Sequence, residues 1–196
     1  MRAFGRINLV AAMALGLSLS AVGSASAQSR TFNVQRARAT FTSEAQLETI
    51  NGICNSGSGS VSVDPGNLSS ASGTITVPVA CLETGIDERD QHLRSAQWLD
   101  AGAHPNATFE ITGVSGASSL SSGQEARVRV SGRFTIHGQT RDVTANARVR
   151  WDGSGQIQLR ANFSIQLSDY GVSIPSVVQA KVSNTIRISV RIRAEA

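Results

Sequence analysis

The densest run of reactive side chains is GIDERDQHLRS, residues 85–95, where Asp87, Glu88, Arg89, Asp90, His92, Arg94 and Ser95 fall within nine positions. Asp90 and His92 are types that could orient one another, and Ser95 stands nearby. Nucleophilic catalysis of that kind also needs the serine on a strained turn beside an oxyanion hole, and no G-x-S-x-G occurs. Asp87 and Glu88 are adjacent, so on a helix they project about 100° apart and make a poor acid pair. The three histidines, His92, His104 and His137, show no H-x-x-x-H spacing, and no C-x-x-C is present, so neither a metal centre nor a cofactor is indicated. The remaining reading is structural. Arg89, Asp90, His92 and Arg94 form a polar clasp, satisfying one another and nearby backbone groups at one end of whatever the flanking elements build. The glycine-rich Asn55–Gly59 stretch lacks the lysine and following helix of a phosphate cradle and reads as a bulge.

Those flanking elements are written in twos. Ile186, Ile188, Val190 and Ile192 alternate with Arg187, Ser189, Arg191 and Arg193. Ile157 to Leu167 and Ala126 to Ile136 repeat the pattern, and Val143, Ala145, Ala147, Val149 and Trp151 form another row. Such alternation is the mark of half-buried strands. Weaker runs near 31–43, 46–63, 71–82 and 107–117 bring the number to about eight, separated by turn signals such as Asp64-Pro65-Gly66-Asn67, His137-Gly138 and Asp152-Gly153-Ser154-Gly155. Eight antiparallel strands with one apolar face close into a barrel or pair as a sandwich, and periodicity alone does not separate the two. Residues 87–99 read as a short helix opening on two acids, with Leu93, Ala96 and Trp98 or Leu99 facing inward. A second short helical turn is expected around 173–180.

A hairpin turning at Pro65–Asn67 brings Cys54 near Cys81, which predicts a disulfide. Strict alternation puts Cys54 on the opposite face from Val61 and Val63, so a one-residue bulge is required within Asn55–Gly59.

The first residues stand apart. Two arginines precede an apolar run, Leu9 to Val22, and Ala25-Ser26-Ala27 has the small residues of a signal-peptidase site. The expectation is a secretory leader over 1–27, one domain over 28–196, and a periplasmic or secreted product. Without the leader, sixteen basic residues stand against fourteen acidic ones, a net charge of +2. The arginines are scattered along the chain without the dense aromatic-laced patch of a nucleic-acid binder, so no nucleic-acid partner is expected.

Three segments, Thr84 to Val114, Val130 to Val149 and Leu167 to Ile192, resemble the YceI-like family of periplasmic proteins. The most specific match is the R-D-x-H-L-R-S string, Arg89 to Ser95. It is followed by Trp98-Leu99-Asp100, by His104-Pro105 with Thr108-Phe109, and by the Gly132–Val143 stretch. The resemblance implies an eight-stranded antiparallel lipocalin-like barrel with a short helical segment, binding isoprenoid or other amphiphilic lipid and carrying no catalytic residue. The first strands depart from the family pattern: Thr42-Ser43-Glu44 and Ile50 to Cys54 stand where a histidine and V-x-G-x-F are usual, and Tyr170-Gly171 replaces Phe-Gly. The expected function is therefore that of an exported, non-enzymatic binder of an elongated apolar or amphiphilic lipid, a polyisoprenoid or isoprenoid quinone. Peripheral membrane contact and a monomeric or homodimeric state complete the expectation. With aromatics only 5% of residues and many inward Ala and Val, the barrel has room for such a ligand. From strand phase, the lining is Val77, Val79, Phe109, Ile111, Val128, Phe134, Val149, Leu159, Phe163 and Ile188. The rival is an envelope stress-response or interaction module whose barrel is filled by its own side chains.

Overall fold

A computed structural model describes residues 28–196; the expected leader over 1–27 lies outside the described residues. Eight strands run in chain order: β1 (Arg30–Glu44), β2 (Thr49–Asp64), β3 (Asn67–Pro78), β4 (Asn106–Ser115), β5 (Glu125–Ile136), β6 (Gln139–Trp151), β7 (Gln156–Gln166) and β8 (Thr185–Glu195). Each pairs antiparallel with the next, and β1 pairs with β8 to close a barrel. Closure settles the choice between barrel and sandwich.

The local chemistry accounts for the connections. β5 and β6 are joined by His137 and Gly138, both at positive φ (50° and 70°), the two-residue turn whose twist suits a hairpin. Between β6 and β7, Asp152 Oδ1 accepts hydrogen bonds from the backbone N–H groups of Ser154, Gly155 and Gln156 at 2.8, 3.0 and 3.0 Å. Those donors hold its carboxyl down at about 2, with the Gln156 N–H the largest contributor and the Ser154 N–H next. The long β3–β4 connection carries a single α-helix, α1 (Asp87–Arg94), which starts as expected but stops five residues short of Leu99. Leu93, Trp98 and Leu99 pack inward from this connection, whereas Ala96 is exposed. The turn expected around 173–180 is a 3-10 turn, Ser176–Val178, and another, Leu167–Tyr170, follows β7.

Cys54 and Cys81 form the disulfide, with Cα atoms 5.2 Å apart. Cys81 sits in a 3-10 turn (Val79–Cys81) just past β3. Ala37 opposes Gly57 while Ala39 opposes Cys54, so β2 holds one extra residue between Cys54 and Gly57. That bulge lets Cys54 and Val63 both point inward, at 1% and 4% exposure.

Two buried clusters fill the interior. One, toward the end formed by β2–β3, β4–β5 and β6–β7 turns, contains Phe32, Val63, Leu68, Leu120, Val128, Ala147, Val149 and Ala194. Backbone hydrogen bonds from Leu120 to Pro65 (2.7 Å) and from Leu68 to Ser118 (2.9 Å) seal that end. The other cluster lies toward α1 and surrounds a cavity.

Candidate functional site

The polar clasp holds the lip of the barrel. Asp90, 6% exposed, accepts from the backbone N–H (2.8 Å) and the hydroxyl (2.5 Å) of Thr84, folding the loop before α1 back onto the helix. Arg89 donates to Thr84 Oγ1 (2.8 Å) and pairs with Glu48 of the β1–β2 turn (2.6 Å), and Arg94 donates to the Leu82 carbonyl (3.0 Å). These residues thus bond the start of their own β3–β4 connection, at Leu82 and Thr84, and the β1–β2 turn, at Glu48, rather than one another. His92 departs from the expected network: its side chain is exposed, makes no hydrogen bond among the described residues, and lines the cavity. Ser95 Oγ donates to the His92 carbonyl (2.7 Å), so Asp90, His92 and Ser95 are not linked as a triad.

Beneath the clasp lies an apolar cavity of about 580 Å³. Its wall comes from the α1-facing ends of the strands: Ala39 and Phe41 of β1, Ile50 of β2, Val77 of β3, Ala107 of β4, Phe134 and Ile136 of β5, Ile165 of β7, and Ile186, Ile188 and Val190 of β8. Leu82, Leu93, Trp98 and the segment from Pro175 to Val182 cover it. Burial of a ligand against such a wall gains about 25 cal/mol for each Å² of apolar surface removed from water. The charged groups, Glu48, Glu88, Arg89, His92 and Lys181, are all on the connections at the mouth. The three large apolar side chains most exposed among the described residues, Leu47 (73%), Ile86 (51%) and Val177 (87%), stand at the same end. Ile86 and Val177 line the cavity itself, and Leu47 N–H bonds the Ala180 carbonyl (2.9 Å).

Of the residues selected from strand phase, Val77, Phe134 and Ile188 line this cavity. Phe109 and Phe163 lie just below it. The Phe163 ring packs on Phe109 and Phe134 at centroid distances of 5.8 and 5.2 Å, and the three rings form a floor. Gly132 makes that floor possible, because a Cβ there would stand 2.4 Å from the Phe109 ring. Val79 is fully buried in the turn behind Cys81. Ile111, Val128, Val149 and Leu159 point inward but belong to the filled half, below the floor. Phase identifies which side chains face in; it does not say at what height, and this divides the two groups. The signal for the missed residues was proximity to the His137–Gly138 turn and to α1, which share one end of the barrel.

One stretch of wall is split. β6 and β7 pair only over Asn146–Trp151 with Ile157–Asn162, and Tyr170 plugs the gap beyond. Its ring meets Phe134 edge to face (5.7 Å between centroids), its hydroxyl is buried without a partner among the described residues, and burial pushes the phenol pKa up from its ordinary value.

Comparison with known proteins places this architecture. A UPF0312 protein of Vibrio cholerae is 33% identical over 132 residues, which span 64% of this chain and 66% of that protein, just under two thirds of its length. A UPF0312 protein of Pseudomonas paraeruginosa is 30% identical over 175 residues, 84% of this chain and 87% of its own. Among solved structures, BcnA of Burkholderia cenocepacia superposes with a TM-score of 0.70 at 21% identity, covering 81% of this chain and 96% of BcnA. A polyisoprenoid-binding domain from Saccharophagus degradans superposes with a TM-score of 0.68 at 16% identity, covering 84% of this chain and 98% of that domain. At those identities the two structures speak to the fold. The model of the YceI-like domain matches residues 28–194, nearly all of the described barrel, and the chain belongs to the YceI-like family.

Proposed function

We propose that this protein is an exported carrier that holds one elongated apolar or amphiphilic lipid, a polyisoprenoid or isoprenoid quinone, in the cavity above the Phe109–Phe134–Phe163 floor. The observation that carries the reading is the distribution of polarity in the cavity: apolar strand ends form its wall, and charged groups appear only at the mouth. That arrangement suits a hydrocarbon tail inside and a polar head at the lip. The polyisoprenoid-binding domain with the same fold supports the ligand class. We read the activity as binding without chemistry, supported by the separate commitments of Asp90 to Thr84 and of Ser95 to a carbonyl. The exposed Leu47, Ile86 and Val177 support a mouth that touches a bilayer surface while lipid is exchanged. Export to the periplasm or beyond rests on the leader-like residues 1–27.

The test is direct. Protein purified from its native envelope without detergent is extracted with organic solvent, and the extract is analysed by mass spectrometry. One isoprenoid or quinone per chain is the expected result. Protein that comes out free of lipid, and that also takes up no prenol when offered it, would overturn the reading.

A further inference from the structure

The strand register collects charges that are scattered in the sequence. Arg127 lies directly opposite Arg148, Arg148 opposite Arg160, Arg160 opposite Arg191, and Arg191 opposite Arg38. Five arginines therefore form one row across β5, β6, β7, β8 and β1, and all five side chains are exposed. Toward the sealed end the next row holds Arg150, Gln158, Arg193 and Arg36, with Glu125 at its β5 edge. Toward the mouth the next row holds Arg129, Asn146, Asn162 and Ser189. These three rows contain nine arginines and one acid, Glu125, which bonds Arg148 at 3.4 Å. The other seven basic residues of the 28–196 region share the rest of the molecule with thirteen acids, so the small net charge conceals a strongly polarised surface.

Like charges set directly opposite one another destabilise a sheet, and this belt repeats that arrangement four times in succession. Neighbouring strands are about 4.8 Å apart, so the belt presents a positive charge every step for about 19 Å around the wall. Its shape selects the partner. The belt runs around half the girth of an eight-stranded barrel, and a flat bilayer can touch only a few strands of a convex wall at once. A flexible chain can follow the curve. The flanking Asn146, Asn162, Ser189 and Gln158 offer amide and hydroxyl groups, and no aromatic side chain stands in the three rows for bases to stack on.

We propose that this belt binds a linear acidic polysaccharide, its carboxylates on the arginines and its hydroxyls on the flanking amide and hydroxyl side chains. The site is on the outer wall and is independent of the lipid cavity.

Binding of a polyuronate to the purified protein, measured by calorimetry at several salt concentrations, tests the assignment. The comparison polymers are a neutral polysaccharide of matched length, single-stranded DNA and vesicles containing anionic phospholipid. The polyuronate should bind most tightly at equal charge, with affinity falling steeply as salt rises. The triple substitution Arg148→Gln, Arg160→Gln and Arg191→Gln should weaken binding at least tenfold while leaving Tm unchanged or higher, since it relieves repulsion. Arg141→Gln, outside the belt, should leave binding within twofold. Tighter binding of DNA or of anionic vesicles would overturn the choice of partner. Equal binding of the neutral polymer, no binding of the polyuronate, or an undiminished affinity in the triple variant would overturn the site.

Discussion

Lengthening a single-chain ligand one isoprene unit at a time reads the depth of the cavity. A methylene in a liquid occupies about the volume of a water molecule, ~30 Å³, so a cavity of about 580 Å³ holds about twenty carbon atoms, or four isoprene units. Each carbon buried against the apolar wall is worth about 0.8 kcal/mol, a tightening of about fourfold. Carbons beyond the floor have nowhere to go, because Phe109, Phe134 and Phe163 separate the cavity from the filled half, and they must trail from the mouth into water. For delipidated protein and a series of linear prenols, affinity should climb with length and then level near four units. Phe163→Ala removes one ring from the floor and should carry the plateau about one unit further. Val128→Ala, buried in the filled half, should lower stability without moving it. Fluorescence displacement gives the affinities, and a thermal melt confirms that each variant is folded. A plateau at half the stated length, an affinity still climbing at twice that length, or a plateau that Phe163→Ala leaves in place would refute the gauge. Failure of every prenol to bind would instead strike at the lipid reading itself.

Three further outcomes follow from the geometry. Replacing Cys54 and Cys81 by alanine opens a loop with a sequence separation of 27 and should cost about 3.5 kcal/mol in the loop-entropy account, near 10 °C of Tm by differential scanning calorimetry. Asp90→Ala leaves the Thr84 N–H without its buried partner and should cost about 3 kcal/mol, whereas His92→Ala, at an exposed and unbonded side chain, should stay within about 0.5 kcal/mol. Asp152 should titrate near 2 by NMR rather than at its ordinary 3.8. Because the folded value is the depressed one, its contribution to the β6–β7 turn is complete above about pH 4 and is lost as pH falls through about 2.

The sequence by itself determined whatever depends on neighbours a few residues apart. Alternation in β5 to β8 fixed which side chains face inward, and His137-Gly138 and Asp152–Gly155 fixed where the chain turns. The conflict of phase between Cys54 and Val63 locates a bulge in β2, because period two admits no other way to put both inside. The acids at the start of 87–99 marked the helix, though Leu99 lies past its end. Strand phase left closure open, since a row of apolar residues is the same row in a sandwich; the resemblance carried by Arg89–Ser95 and its companion motifs implied the barrel, and the pairing of β1 with β8 shows it. Only the tertiary structure set height along the barrel axis, which put Ile188 on the cavity and Val128 and Val149 in the filled half. It moved His92 from the clasp to the mouth, because the partners of Asp90 and Arg89 come from Thr84 and Glu48, outside the motif. It also turned arginines that are scattered along the chain into one belt. Register belongs to pairs of strands far apart in the chain, so Arg38 and Arg191 become neighbours only when β1 closes on β8.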